Sequence, residues 1–220
     1  MVKMKLPVVS EVFDKKYPYN AKIKQIRRLI EKNNIYLKNK RVCVDIGAHV
    51  GLTAIEYAKI FDKVYAFEPA PKLYSMLVEN TREIDNIETF NFAVSDREST
   101  LQMFENPRNT ESNFILSDDT KELHCRIERF KADGFDNTLI DVKTMTIDSL
   151  NLNDVDLIKI DTENYVVPVI HGMKDTLTRC RPLLQVEIFS MYDEVSQLLK
   201  SLRYQMKKSF ESDYFFIKND

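Results

Sequence analysis

Apolar residues follow two alternating rhythms along this chain. Short runs that are apolar on both faces, Val42-Cys43-Val44 with Ile46, Val64 to Phe67, Ile87 to Val94, Val155 to Asp161 and Leu183 to Phe189, read as strands buried between helices in a parallel sheet. Between them, apolar residues recur three and four apart. These segments are predicted helices: Leu52 to Ile60, Pro71 to Ile84 with Leu73, Met76 and Leu77 as its stripe, Val167 to Leu177, and Val195 to Leu202 with Leu198 and Leu199 facing in. Pro71 suits a first turn, where the missing N–H has no partner to lose. Strand and helix in alternation are the signature of a right-handed β-α-β series. Tyr204 to Met206 and Tyr214 to Ile217, separated by a polar turn, predict a closing antiparallel hairpin. The predicted fold class is α/β, with a doubly wound, mostly parallel sheet, helices on both faces and a C-terminal antiparallel hairpin.

Two regions depart from this rhythm. Residues 1 to 19 contain Pro7 and Pro18 and no sustained period, so they read as an arm. From Ala21 to Lys32, Ile23, Ile26, Leu29 and Ile30 make an amphipathic helix expected to cover one end of the sheet, ended by Asn33 and Asn34. The domain reading is thus an arm and covering helix over 1–40 and one domain over 41–220. Within that domain, Leu101 to Phe104 predicts a short added strand. Glu105 to Asp141 is the least regular stretch, with polar clusters, Gly134 and a helix near Leu123 to Phe130. A substrate-side lid and a plain surface insertion both fit a segment of this length.

Composition narrows the class. The 220 residues, 44% hydrophobic and 30% charged, are enough for one large domain with a substantial core. No apolar run approaches the roughly 20 residues of a membrane span, and the start of the chain lacks the uninterrupted apolar stretch of a signal peptide, so a cytoplasmic location is expected. Cys43, Cys125 and Cys180 form no C-x-x-C pair, and His49, His124 and His171 show no ligand spacing. Neither a disulfide framework nor a metal site is indicated. The net charge of −2 is uneven: residues 1 to 41 carry 12 Lys and Arg against 3 Asp and Glu. Such a basic extension suits either a phosphate-rich partner such as nucleic acid or a solvated helix face.

The candidate chemistry begins at Val42 to Gly51. Asp45 sits near the carboxyl end of the first strand, where such sheets bind ligands. Gly47 and Gly51 let the backbone turn tightly, and the helix that follows places its amino terminus beside the site. Glu68, 23 residues beyond Asp45, ends the second strand just before Pro69. That is close to the spacing at which an acid meets the ribose hydroxyls of a nucleotide, and its charge would repel a 2′-phosphate. Ala48, His49 and Val50 stand between the glycines, an arrangement that lacks the usual backbone cradle for a pyrophosphate. In the strand Val155 to Asp161, Leu157, Lys159 and Asp161 share one face. A lysine inside a central strand calls for a charged partner.

Taken together, VDIGAHVGLTA at 44–54, VYAFEPAP at 64–71, the Leu77 to Asn80 segment, AVSD at 93–96, TIDSL at 146–150, LIKIDTEN at 157–164 and PLLQVEI at 182–188 stand in the order found in one family. The chain resembles the FkbM-like S-adenosylmethionine-dependent methyltransferases, class I Rossmann-like enzymes associated with O-methylation. The resemblance implies a seven-stranded sheet and S-adenosylmethionine as cofactor, a donor without phosphates. It implies that the loop with Gly47, Ala48, His49 and Gly51 holds the methionine end, with Asp45 favouring the ammonium. Glu68 with Pro69 would hold the ribose, Ser95 and Asp96 would border the adenine, and Asp161 would face the donor as well as the acceptor. The implied sheet order brings Asp45, Asp161 and Glu187 to one rim. Asp161 and Glu163 are then the expected acceptor-side groups, supported by Lys159 and Glu187, with a carboxylate or lysine as general base.

One stretch departs from the family pattern, I-D-V-E-G-aromatic-E: Asn164 stands for its glycine and Val166 for its second glutamate. The expected function is O-methylation of a hydroxyl on a sugar, glycan or lipid- or polyketide-like small molecule. The alternatives are an RNA ribose 2′-O-methyltransferase and a cofactor-binding partner subunit without catalysis.

Overall fold

The computed structural model describes residues 19–117, 124–135 and 138–219. The arm expected over residues 1 to 19 lies outside the described residues except for Tyr19, which begins the first helix. In chain order the elements are α1 (Tyr19–Asn34), β1 (Val42–Ile46), α2 (Leu52–Ala58), β2 (Lys63–Phe67), α3 (Pro71–Thr81), β3 (Ile87–Phe90), β4 (Ala93–Val94), β5 (Ser99–Phe104), β6 (Phe114–Ile115), α4 (Cys125–Ala132), β7 (Leu139–Met145), β8 (Val155–Ile160), α5 (Val166–His171), α6 (Lys174–Cys180), β9 (Leu183–Glu187), α7 (Tyr192–Ser201), β10 (Tyr204–Phe210) and β11 (Asp213–Lys218). Short 3-10 turns lie at Thr110–Ser112 and Asp148–Leu150.

Seven strands form the main sheet in the order β10-β11-β9-β8-β1-β2-β3, parallel except for the terminal hairpin. The sheet divides the core in two, because successive side chains of a strand point to opposite faces. On β1, Cys43 joins the cluster with Tyr57 of α2 and Leu77 of α3, while Val44 and Ile46 join the larger cluster with Val169, Leu177 and Leu199 of α5, α6 and α7. The helices therefore lie on both faces, as the two-sided apolar strands require. Helix α1 buries Ile23, Ile26 and Leu29 and is tied to α2 by Arg27, whose Nε donates to Glu56 Oε2 at 2.9 Å. No described helix is long and apolar enough to cross a membrane.

The structure corrects two expected elements. The strand predicted from Ile87 to Val94 ends at Phe90, and Ala93–Val94 pairs instead with β7 in a second sheet of order β4-β7-β5-β6. Asn91 makes the break: its Nδ2 donates to the carbonyls of Glu68 and Pro69 at 2.9 and 3.0 Å, which ties the turn to the end of β2. The helix expected from Val167 to Leu177 is two helices. Between them Gly172 presses on Ser95, where an added Cβ would lie 1.8 Å from the Ser95 carbonyl oxygen. The second helix is capped from a distance, because Asp148 accepts from the N–H groups of Asp175 and Thr176 at 3.0 and 2.8 Å. The segment 105–141 contributes β6, α4 and the start of β7, around a small core of Phe104, Phe114 and Ile127.

Candidate active site

The carboxyl ends of β1, β2, β8 and β9 open on a cavity of about 340 Å³. Its floor is the loop after β1. Gly47 takes φ 81°, and an added Cβ would lie 1.8 Å from the carbonyl oxygen of Asp161, so the loops after β1 and β8 touch only because this residue is glycine. The N–H groups of Gly47 and Ala48 both donate to the Phe67 carbonyl, at 3.0 and 2.9 Å, which fixes the loop against the end of β2. His49 is also left-handed, at φ 52°. Its backbone N–H donates to Glu68 Oε2 at 2.9 Å, and its Nε2 lies 2.9 Å from Thr110 Oγ1 on the far wall.

Glu68 is the polar centre of this end. Its Oε1 accepts from the Ala70 N–H at 2.9 Å, so each carboxylate oxygen has one main-chain donor and lone pairs to spare. Burial pushes its pKa up to about 7 against the pull of those two N–H groups. Beside it Phe67, Leu73, Phe92, Val94 and Met103 line an apolar slot. A flat aromatic group with a diol next to it matches this pairing of slot and carboxylate. The residues present fit S-adenosylmethionine, with adenosine along the slot, the diol on Glu68 and the amino-acid end by the Gly47 loop.

The opposite end is acidic. Lys159, Asp161, Glu163 and Glu187 line the cavity together. Parallel register sets Asp45 opposite Lys159, and Lys159 opposite Gln185, so one polar stripe crosses the sheet. Lys159 Nζ lies 3.2 Å from Asp45 Oδ1 and 3.1 Å from Asp161 Oδ2. Burial works against its charge, but Asp161 and Asp45 outweigh burial and hold the ammonium firmly protonated. Burial likewise raises the buried Asp45 carboxyl, which Lys159 partly offsets. Glu187 is raised well above the carboxylate range by burial and then by the charge of Asp161. Burial and Asp161 push Glu163 up to about 7, opposed by Arg126. Both Glu163 and Asn164 are left-handed, at φ 47° and 70°, so asparagine serves the turn in which the family pattern places glycine. A second cavity of about 100 Å³ lies under α1. It shares Thr53, Lys159, Asp161 and Glu187 with the first and adds Tyr57, Gln185 and Asp213, which are joined by hydrogen bonds of 2.7 Å.

Of the residues expected around a cofactor, Gly47, Ala48, His49, Glu68, Pro69 and Asp161 line the main cavity. Asp45, Gly51, Ser95 and Asp96 do not. Asp45 lies behind the wall with Lys159, and Gly51 packs toward Leu77. Ser95 is buried with its hydroxyl 2.8 Å from that of Tyr165, so it reaches the cavity through that ring. Asp96 is exposed and meets Arg97. Sequence reasoning did not find Asn109 to Ile115 or Phe189, which complete the wall. The irregularity of 105–141 was the one signal pointing to the former.

Residues 45–206 match the model of the methyltransferase FkbM domain. The chain is 28% identical over 167 residues to the 2-O-methyltransferase NoeI of Sinorhizobium fredii, covering 72% of this chain and 65% of NoeI. Among solved structures it resembles the FkbM methyltransferase of Methylobacillus flagellatus, with a TM-score of 0.53 and 14% identity over 81% of this chain and 43% of that one. It also resembles a SAM-dependent methyltransferase of Aquifex aeolicus, with a TM-score of 0.50 and 12% identity over 97% of both chains. At these identities the structural likenesses show the fold alone, and the chain spans less than two thirds of the length of NoeI and of the M. flagellatus enzyme. With the family model covering most of the chain and a seven-stranded, mostly parallel sheet closed by an antiparallel hairpin, this chain belongs to the FkbM-domain family of S-adenosylmethionine-dependent methyltransferases.

Proposed function

We propose that the chain O-methylates a hydroxyl of a sugar or glycan, or of a lipid- or polyketide-like molecule, with S-adenosylmethionine as donor. One observation carries this reading: a single cavity holds a buried carboxylate beside an apolar slot and, on another part of its wall, the cluster of Lys159, Asp161, Glu163 and Glu187. S-adenosylmethionine supplies an activated methyl group on a sulfonium when bound. The task left to the chain is to hold the acceptor in line and to receive its proton. Lys159 stays cationic and Glu187 stays protonated, so neither is available as base. That leaves Asp161, with Lys159 donating to its Oδ2 at 3.1 Å, and Glu163, raised to about 7, to accept the hydroxyl proton as the oxygen gains the methyl. A relative named as a 2-O-methyltransferase supports a hydroxyl oxygen as the acceptor atom. The segment 105–141 acts in this reading as the lid over the acceptor end.

Calorimetry with S-adenosylmethionine, followed by a by-product assay across glycans, small alcohols and RNA, tests the proposal. One-to-one donor binding and turnover on a sugar hydroxyl are expected. Salt-sensitive turnover on RNA alone would replace the acceptor, and donor binding with no turnover on any acceptor class would favour a non-catalytic subunit.

A further inference from the structure

Outside the cavity, α4 and the segment ahead of the Thr110–Ser112 turn enclose an open groove of about 360 Å³. Arg108, Arg126 and Arg129 line it around Phe130, with Asp133 as the one carboxylate among the described residues of its lining. Arg108 is held in place. Its Nη2 donates to Asp133 Oδ2 at 2.9 Å, and its guanidinium lies 5.3 and 5.2 Å from the ring centres of Phe130 and Phe135. Arg126 and Arg129 stand three apart on α4 and so share a helix face. Among the described residues neither has a carboxylate within ion-pair distance, whereas Lys131, on the same helix, is paired with Glu128. Like charges three apart on a helix repel, and an anion between them relieves that repulsion.

The groove borders the active-site cavity. Ser112 lines both, and the charge of Arg126 opposes the upward shift of the Glu163 carboxyl on the cavity wall. Among the described residues, the carboxyls lining the cavity, Glu68, Glu111, Asp161, Glu163 and Glu187, outnumber its basic groups, Lys159 and His49, so it is a poorer seat for an anion than the groove. A substrate carrying both a reactive hydroxyl and an anionic group would place them apart, the hydroxyl in the cavity and the anion among the arginines. Guanidinium groups suit this role because their fork of N–H donors matches sulfate, phosphate or carboxylate oxygens two at a time.

We propose that this groove is an acceptor subsite for an anionic group, a sulfate, phosphate or carboxylate, borne by the hydroxyl compound away from the position methylated. The subsite deepens the proposed function and rests on the acceptor being a hydroxyl compound seated in the adjoining cavity.

The test is a titration of the full chain, with its arginine side-chain N–H resonances observed, using N-acetylglucosamine, its 6-sulfate, its 6-phosphate, and glucuronate. The charged sugars are expected to shift the Arg126 and Arg129 signals saturably, to bind at least tenfold tighter than N-acetylglucosamine, and to weaken with added salt. The order among the three charged sugars identifies the anion. The double variant R126Q/R129Q should lose that preference while keeping its thermal midpoint and its affinity for S-adenosylmethionine. Equal binding of the neutral sugar overturns the proposal, as do equal shifts at the exposed Arg82 and Arg203 or a preference that survives the double substitution. Donor binding is read separately by calorimetry. Its absence would count against the methyltransferase reading, while the groove is judged by the sugar titration.

Discussion

At the Gly47 end of the cavity the polar contacts are made by the main chain, and at the acidic end they are made by side chains from four strands. Glu68 is held by two backbone N–H groups, and the loop beneath it by the Phe67 carbonyl, all within residues 47 to 70. Asp45, Lys159 and Gln185 come from β1, β8 and β9 and are set in one stripe by the register, while Asp213 of β11, opposite Glu187, joins them through the 2.7 Å hydrogen bond that Gln185 donates to it. A site fixed by the main chain tolerates change in its neighbours, so one donor can be held while the acceptor varies. A site made of coupled buried charges changes whenever one partner does. In the proposed reading the acceptor end is therefore where relatives are expected to diverge, and the unusual Asn164 and Val166 flank its lining residues Glu163 and Tyr165 without lining the cavity themselves.

The comparison breaks most visibly at Asp161. D161N is expected to lower turnover by about 10²–10⁴ with donor affinity within about twofold of the parent, measured by the by-product assay and calorimetry. If donor binding is lost as well, the two ends are not separable. Lys159 comes next. K159M leaves Asp45 and Asp161 without their cation, and about 3–5 kcal/mol of stability should be lost in denaturant unfolding at neutral pH. The loss should shrink in acid, where the two carboxyls neutralise themselves by protonation. A variant as stable as the parent would remove the buried-charge account.

A smaller effect sharpens the other end. Glu68 titrates at about 7, above its ordinary value, because it is buried. Its protonated form is the one that stabilises the empty fold, so that contribution is lost as pH rises toward and through 7. Accepting from a diol needs the ionised form, so donor affinity should rise with pH by up to about tenfold per unit below that value and level off above it. Calorimetry from pH 5.5 to 8.5 reads this slope directly, and E68Q should bind weakly with no slope. A parent whose affinity is flat across that range would separate Glu68 from the diol. The smallest effect expected is that of T110V, which removes the partner of His49 Nε2 across the cavity. It should cost about 0.5–1.5 kcal/mol in unfolding and leave the pH slope intact.

The legible parts of the site are those built from consecutive residues. Val42 to Gly51 and Glu68 with Pro69 could be read directly, since a tight turn and an acid ending a strand leave their mark in adjacent positions. Lys159 was legible as a charge needing a partner, but its pairing with two aspartates at once required the β1–β8 register. Ser95 and Asp96 illustrate the limit. The motif was recognised, yet whether its side chains face a cavity depends on Gly172 and Tyr165 packing against it from another part of the chain. Asn91, which diverts the chain from one sheet to the other, looks like any strand-end asparagine until the carbonyls it binds are known.

By itself, then, the amino-acid sequence determined the α/β architecture, the site at the carboxyl end of the first strand and the family, because hydrophobic period and turn chemistry are local properties. Tertiary structure alone decided the second sheet, the wall from Asn109 to Ile115, the protonation pattern of the acidic end and the convergence of three arginines beside it. Each of those depends on groups far apart in the chain being buried together, and both burial and the mutual approach of charges are properties of the folded chain.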